Sequence, residues 1–182
     1  KFGIWQTYSW LEVSKLTRDL ACGLSQAGVS RGDHVALVGG NRPRLQASLA
    51  ALQVLGAIPV PLYQDAPATE YAYPLSSAKI AFAIVEDQEQ VDKLIEVQEH
   101  CPDLRRVWFD DGRGLRAYAY PWLNSLDTLI DEGQQFGSMN ASHYDEQAAL
   151  VRPDDVAAMF FTSGTTSLPK GVVHTHLSLI RS

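Results

Sequence analysis

Four short apolar runs, at positions 34–38, 58–62, 80–85 and 107–109, recur about every 22 to 26 residues with helical patterns between them. This rhythm constrains the fold more than any other feature. Strands separated by one helix each follow the pattern of parallel crossovers, whose sheet must be covered on both faces. The expected fold is α/β, a doubly wound, mostly parallel sheet flanked by helices.

The intervening segments carry their own start and stop signals. Val13, Leu16, Leu20, Leu24 and Ala27 step by three or four residues, with Ser9 as N-cap and Gly28 as the stop. A second helix starts near Pro43, runs through Leu45, Leu49 and Leu52, and ends at Gly56. Pro59 and Pro61 confine the second strand to a short or partly unpaired position. Asp65-Ala66-Pro67 opens a weak helix that Pro74 bends or ends. Asp87 with Gln90 reads as a capping box for a helix through Val91, Leu94 and Ile95. A helix at 125–132, a shorter one at 145–150 and a last apolar strand at 156–161 complete the pattern.

At 182 residues the chain corresponds to about one domain, large enough to bury a core without disulfides. Its net charge of −6 supplies no overall positive field for nucleic acid or anionic lipid, so any anion site must be local. Cys22 and Cys101 form no CxxC, and both are expected to be reduced thiols in a cytoplasmic protein. No apolar run reaches the roughly 18 to 20 residues of a membrane span, and the first residues lack a signal-peptide pattern. With Lys1 in place of an initiator Met, and with an apolar end at 177–182 that no cap or breaker follows, the chain is expected to be a piece of a longer protein.

Chemistry concentrates after the last apolar strand. Thr162, Ser163, Thr165, Thr166 and Ser167 lie beside Gly164, Lys170 and Gly171. Such a loop offers backbone N–H groups, hydroxyl donors and one ammonium to a single anion, as a polyphosphate requires. The same composition also suits a solvated turn, and by itself leaves both readings open. Gly164 and Lys170 have the Walker A offset, but Pro169 replaces its second Gly and has no N–H, and Gly171 replaces its hydroxyl residue. Other patterns are weaker still. Gly112 to Ala117 imitates a dinucleotide fingerprint, yet Tyr120-Pro121 spoils the helix it needs. His174 and His176 lack a third metal ligand and read as strand and helix-entry positions, and Asp110-Asp111 beside Gly112 reads as a turn.

The stretch Thr162-Ser163-Gly164-Thr165-Thr166-x-x-Pro169-Lys170-Gly171-Val172 closely resembles the phosphate loop of the adenylate-forming (AMP-binding) enzymes. That superfamily contains acyl-CoA synthetases, luciferases and peptide-synthetase adenylation domains. Upstream, Tyr8-Ser9-Trp10-Leu11-Glu12, Gly32-Asp33-His34-Val35-Ala36, Asn41-Arg42-Pro43 and the run from Leu55 to Tyr63 look like the family's early motifs in order. The segments at 86–93 and 111–118 most resemble bacterial long-chain fatty acid–CoA ligases. Ser167 departs from the family, which usually has Gly there.

The resemblance implies that residues 1–182 are an incomplete N-terminal AMP-binding domain with its phosphate loop at 162–171 and without the C-terminal domain. It implies a parent enzyme that converts a fatty acid and ATP to acyl-AMP and pyrophosphate, then passes the acyl group to CoA. Thr162, Ser163, Gly164, Thr165, Thr166, Ser167 and Lys170 would bind the nucleotide's phosphates, and Thr165 would help ligate Mg²⁺. The catalytic lysine, the acidic Mg²⁺ partner and much of the fatty-acid tunnel would lie later in the parent, leaving this stretch inactive alone. Another adenylating enzyme, such as a fatty acyl-AMP ligase or a peptide-synthetase domain, and a non-catalytic binding module of the same fold stand as alternatives. Peripheral membrane contact and a homodimer stay open.

Overall fold

The computed structural model describes residues 4–162 and 168–181. Five strands, β1 (His34–Val38), β2 (Ile58–Leu62), β3 (Phe82–Val85), β4 (Arg106–Phe109) and β5 (Leu123–Ser125), form one sheet in the order β2-β1-β3-β4-β5. Every pair in it is parallel. The doubly wound sheet expected from the spacing is therefore present. β5 was not expected, because three residues behind a Gly- and Tyr-containing loop carry too little apolar pattern to announce a strand.

Both faces of the sheet are covered. Helices α1 (Trp10–Gln26), α2 (Pro43–Leu55) and α5 (Leu126–Met139) bury Leu20, Leu24, Leu52 and Leu129 against Leu37, Ile84 and Trp108. Helices α3 (Ala68–Ser77) and α4 (Gln88–Val97) bury Tyr71, Leu75, Val91 and Leu94 against Val38, Val85 and Val107. Alternate residues of one strand thus serve opposite cores, and for that reason the strands read as unbroken apolar runs.

Helix ends follow local chemistry, with three departures from expectation. Ser9 caps α1, accepting from the Glu12 N–H, while Glu12 accepts from the Ser9 N–H at 2.7 Å. α3 continues through Pro74: the single intrahelical bond that Pro74 cannot make is offset by burial of Tyr71, Pro74 and Leu75. Asp87 caps α4 by accepting from the Glu89 N–H, and Gln90 is buried instead of closing a capping box. α5 reaches Met139 because Gly133 serves as the crossing point with α1, where a Cβ would stand 1.9 Å from the Asp19 carbonyl. A short α6 (His143–Ala149) follows, tied to α1 by the Arg18–Asp145 ion pair at 2.9 Å.

The last apolar strand has a different architecture. β6 (Val156–Thr162) pairs antiparallel with β7 (Lys170–Thr175), forming a separate two-stranded sheet that leads into α7 (His176–Arg181). β6 runs close beside β2, yet no ladder joins them. The two prolines of β2 account for this. Ile58 N–H donates toward β1, to the Asp33 carbonyl, so Pro59 and Pro61 turn to the outer edge and leave it without those two donors. Side chains make the join instead. Gln53 Nε2 donates to the Ala157 carbonyl at 3.0 Å, and Phe161 meets the Tyr73 ring edge to face at 6.5 Å.

Candidate functional site

In an open parallel sheet the default ligand crevice lies beyond the strand C-termini where the winding reverses, here between β1 and β3. That crevice is filled by protein. Glu86 accepts from the Gly40 N–H at 2.5 Å and from Arg42 Nε. Arg44 bridges Asp110 at 2.9 Å and Asp127 at 2.6 Å. The void left between these groups is about 10 Å³, no more than one water could use. Asp110, read from sequence as part of a turn, is a half-buried ion-pair partner. Burial pushes its carboxyl up, against the pull of Arg44.

The open space lies at the loop end of the β6–β7 hairpin. Thr162 and Lys170 are direct partners across the ladder, so the sequence holds the two ends of the Gly- and hydroxyl-rich loop together. Ser163, Gly164, Thr165, Thr166 and Ser167 lie outside the described residues. Both Thr162 and Lys170 are exposed, and among the described residues no carboxylate pairs with the Lys170 ammonium.

Two clefts flank this end of the hairpin, separated by Tyr73 and Phe161. One, of about 880 Å³, is lined by His34, Ser77, Lys79, Met159, Phe161 and Lys170, among others. The other, of about 790 Å³, lies between Tyr63, Thr69 and Glu70 on one side and Thr162 and Pro169 on the other. Its wall is fixed from behind. Tyr71 Oη donates to the Tyr63 carbonyl at 3.0 Å, and Lys93 Nζ donates to the Gln64 carbonyl at 2.6 Å. Burial pushes the Tyr71 hydroxyl up to about 12, so it remains a donor at neutral pH. In the first cleft burial pushes the His34 imidazole down, and its hydrogen bond to the Ala78 backbone offsets this only in part.

The lesser motifs fall as read. No helix follows Gly112 to Ala117, His174 lies on β7, and His176 opens α7. Cys22 and Cys101 are free and buried, and burial pushes both thiols up. Among the described residues no group of three His, Cys, Asp or Glu could hold a metal ion, and no helix is long and apolar enough to cross a membrane. Sequence reasoning had not singled out Tyr63, Tyr73 or Lys79 as cleft residues. Their only signal was their place just after β2 and within or just after α3, near a last apolar strand that the crossover rhythm did not assign to a sheet.

Comparison with known proteins places this geometry. A model described as AMP-binding enzyme matches residues 1–182. A long-chain-fatty-acid–CoA ligase of Mycobacterium bovis is 28% identical over 178 residues, covering 98% of this chain and 28% of that protein. The 4-coumarate–CoA ligase 3 of Oryza sativa subsp. japonica is 31% identical over 177 residues, covering 97% and 28%. The crystal structure of a long-chain-fatty-acid-CoA ligase from Archaeoglobus fulgidus superposes with a TM-score of 0.75 at 26% identity, covering 96% of this chain and 31% of that one. The chain thus spans under a third of the length of these relatives.

Proposed function

The chain belongs to the AMP-binding enzyme family, and on that premise we propose that it is the front part of the N-terminal domain of an acid–CoA ligase acting on a long-chain fatty acid. In the reaction the acid's carboxylate attacks the α-phosphate of ATP, the bond to the β-phosphate breaks, and acyl-AMP and pyrophosphate form. The CoA thiol then attacks the acyl carbon, AMP leaves, and the thiol proton goes to solvent. The observation that carries this reading is the closure of the signature loop by the Thr162–Lys170 pair between two open clefts.

The proposed roles follow from that placement. Thr162, Ser163, Gly164, Thr165, Thr166, Ser167 and Lys170 bind the β- and γ-phosphates, where donors and a cation stabilise the charge that leaves with pyrophosphate. Mg²⁺ would arrive on the nucleotide's own phosphates and neutralise part of that charge, with Thr165 as the proposed protein ligand. The carboxylate substrate, CoA, the C-terminal domain and a cytoplasmic location belong to the proposal for the whole protein. The rice relative, a 4-coumarate–CoA ligase by name, supports an aromatic acid as the second reading.

ATP–pyrophosphate exchange by the full-length protein tests this. Exchange that depends on added palmitate supports the fatty-acid reading, exchange with 4-coumarate alone supports the second, and no exchange with any acid overturns both. Thioester formation on adding CoA distinguishes a CoA ligase from an acyl-AMP ligase. Lys170→Ala is expected to weaken ATP or pyrophosphate binding by about 1.5 to 3 kcal/mol, the range for a hydrogen bond to a charged group. Unchanged affinity for both would place Lys170 outside the site.

A further inference from the structure

The same C-terminal capping motif ends three helices, and one copy differs. After α1, Gly28 N–H donates to the Ser25 carbonyl and Val29 N–H to the Leu24 carbonyl. After α2, Gly56 bonds to Gln53 and Ala57 to Leu52 in the same way. After α3, the equivalent bonds run from Lys79 to Ser76 and from Ile80 to Leu75. The motif requires a left-handed residue at its turning point, and glycine takes that conformation without a Cβ penalty. Gly28 and Gly56 occupy it at φ 96° and 68°, whereas Lys79 occupies it at φ 48°. Among the described residues Lys79 is the one non-glycine with positive φ.

Fold stability gives no reason for a lysine there. Its side chain is exposed, and no described carboxylate pairs with it. Its position does give one. Lys79 lines the 880 Å³ cleft beside the hairpin, together with Ser77 and with Lys170 at the hairpin's end. The preceding residue, Ala78, is buried and donates its N–H to the Pro74 carbonyl at 3.1 Å, which fixes where the lysine emerges. Backbone strain that packing does not require tends to persist where a ligand uses it.

We propose that Lys79 is a second phosphate-binding cation, presented from the C-terminus of α3 to a phosphoryl group lodged in the cleft beneath the β6–β7 hairpin. The proposal rests on the reading of the hairpin loop as a polyphosphate grip, and extends it to a residue some 90 positions upstream of Lys170. Two sources present this chemistry, the triphosphate of ATP and the phosphates of CoA, and one long ammonium side chain suits either.

Calorimetric titration of the full-length protein with inorganic pyrophosphate, ATP and CoA at low salt separates them. Lys79→Gly removes both the cation and the strain, so it is expected to raise the melting temperature while weakening at least one ligand about threefold to tenfold. Lys79→Gln removes the cation alone, and should weaken the same ligand without raising the melting temperature. Loss confined to ATP and pyrophosphate assigns the lysine to the nucleotide, and loss confined to CoA assigns it to the thiol substrate. Wild-type affinity for all three ligands in both variants, or no gain in melting temperature with Lys79→Gly, overturns the proposal. Lys170→Ala in parallel keeps the two readings apart. If it weakens binding and the Lys79 variants do not, the loop reading stands and this one falls; the reverse result leaves Lys79 in place and removes the loop reading.

Discussion

The five-stranded sheet and the β6–β7 hairpin are built from equally apolar runs, yet they are held in different ways. Ile84 in β3 is fully buried in the core beneath α1, α2 and α5, while Phe160 in β6 is 37% exposed. The sheet is joined strand to strand by parallel ladders, whereas the hairpin meets it through side chains such as Gln53, Tyr73 and Phe161. The difference shows where this chain places stability and where it places a site. The sheet supplies a rigid wall, and the open clefts lie where the ladder stops.

The largest expected effect is on the sheet. Ile84→Ala should cost about 2 to 5 kcal/mol of stability, the range for truncating a buried aliphatic side chain. Phe160→Ala should cost about 1 kcal/mol or less, as for one exposed cross-strand contact. Urea denaturation of the 182-residue chain measures both, and equal costs would dissolve the contrast. Next, Gly133→Ala should destabilise by about 1 to 3 kcal/mol, since its Cβ would meet the Asp19 carbonyl and push α5 off α1. A neutral result would mean that the helix layer is looser than the sheet it covers.

The smallest effect lies at the seam between the regions. Burial holds the His34 pKa below its ordinary value of 6.5, so the folded state resists its protonation. A base with a depressed folded pKa contributes stability above its unfolded pKa and loses it as pH falls through the folded value. The melting temperature of the wild type should therefore fall more steeply below pH 6.5 than that of His34→Gln. Parallel curves for the two proteins would show that the seam around His34 is already open to water.

Most of the sheet was legible because its signals are local. β1 and β2 occupy the residues that their apolar runs mark, and Gly56 ends α2 in the left-handed conformation expected of it. What failed to read depended on partners far away in sequence. Pro74 looked like a breaker because the burial around Tyr71 and Leu75 was invisible, and the helix expected over 125–132 stopped short of Met139 because its packing on α1 at Gly133 could not be seen. At the candidate site the loop's residue types suited a polyphosphate grip and a solvated turn alike, and the resemblance chose between them; of the loop, the structure describes Thr162 and Lys170, which pair across the ladder. The cleft walls were not legible, since Tyr63, Tyr73 and Lys79 become neighbours of the hairpin only through the packing of β6 beside β2.

The proline-bearing edge of β2 has a consequence for biosynthesis. The five-stranded sheet is complete by Ser125, so during vectorial synthesis it can assemble before Val156 has left the ribosome. Until the hairpin arrives, β2 is a bare edge on a nascent chain, and neighbouring polysomal chains carry the same strand. Pro59 and Pro61 remove two donors from that edge, so it is a poor template for strand pairing between chains. The two residues that keep the hairpin off the ladder in the folded chain thus also guard the growing one against its own copies.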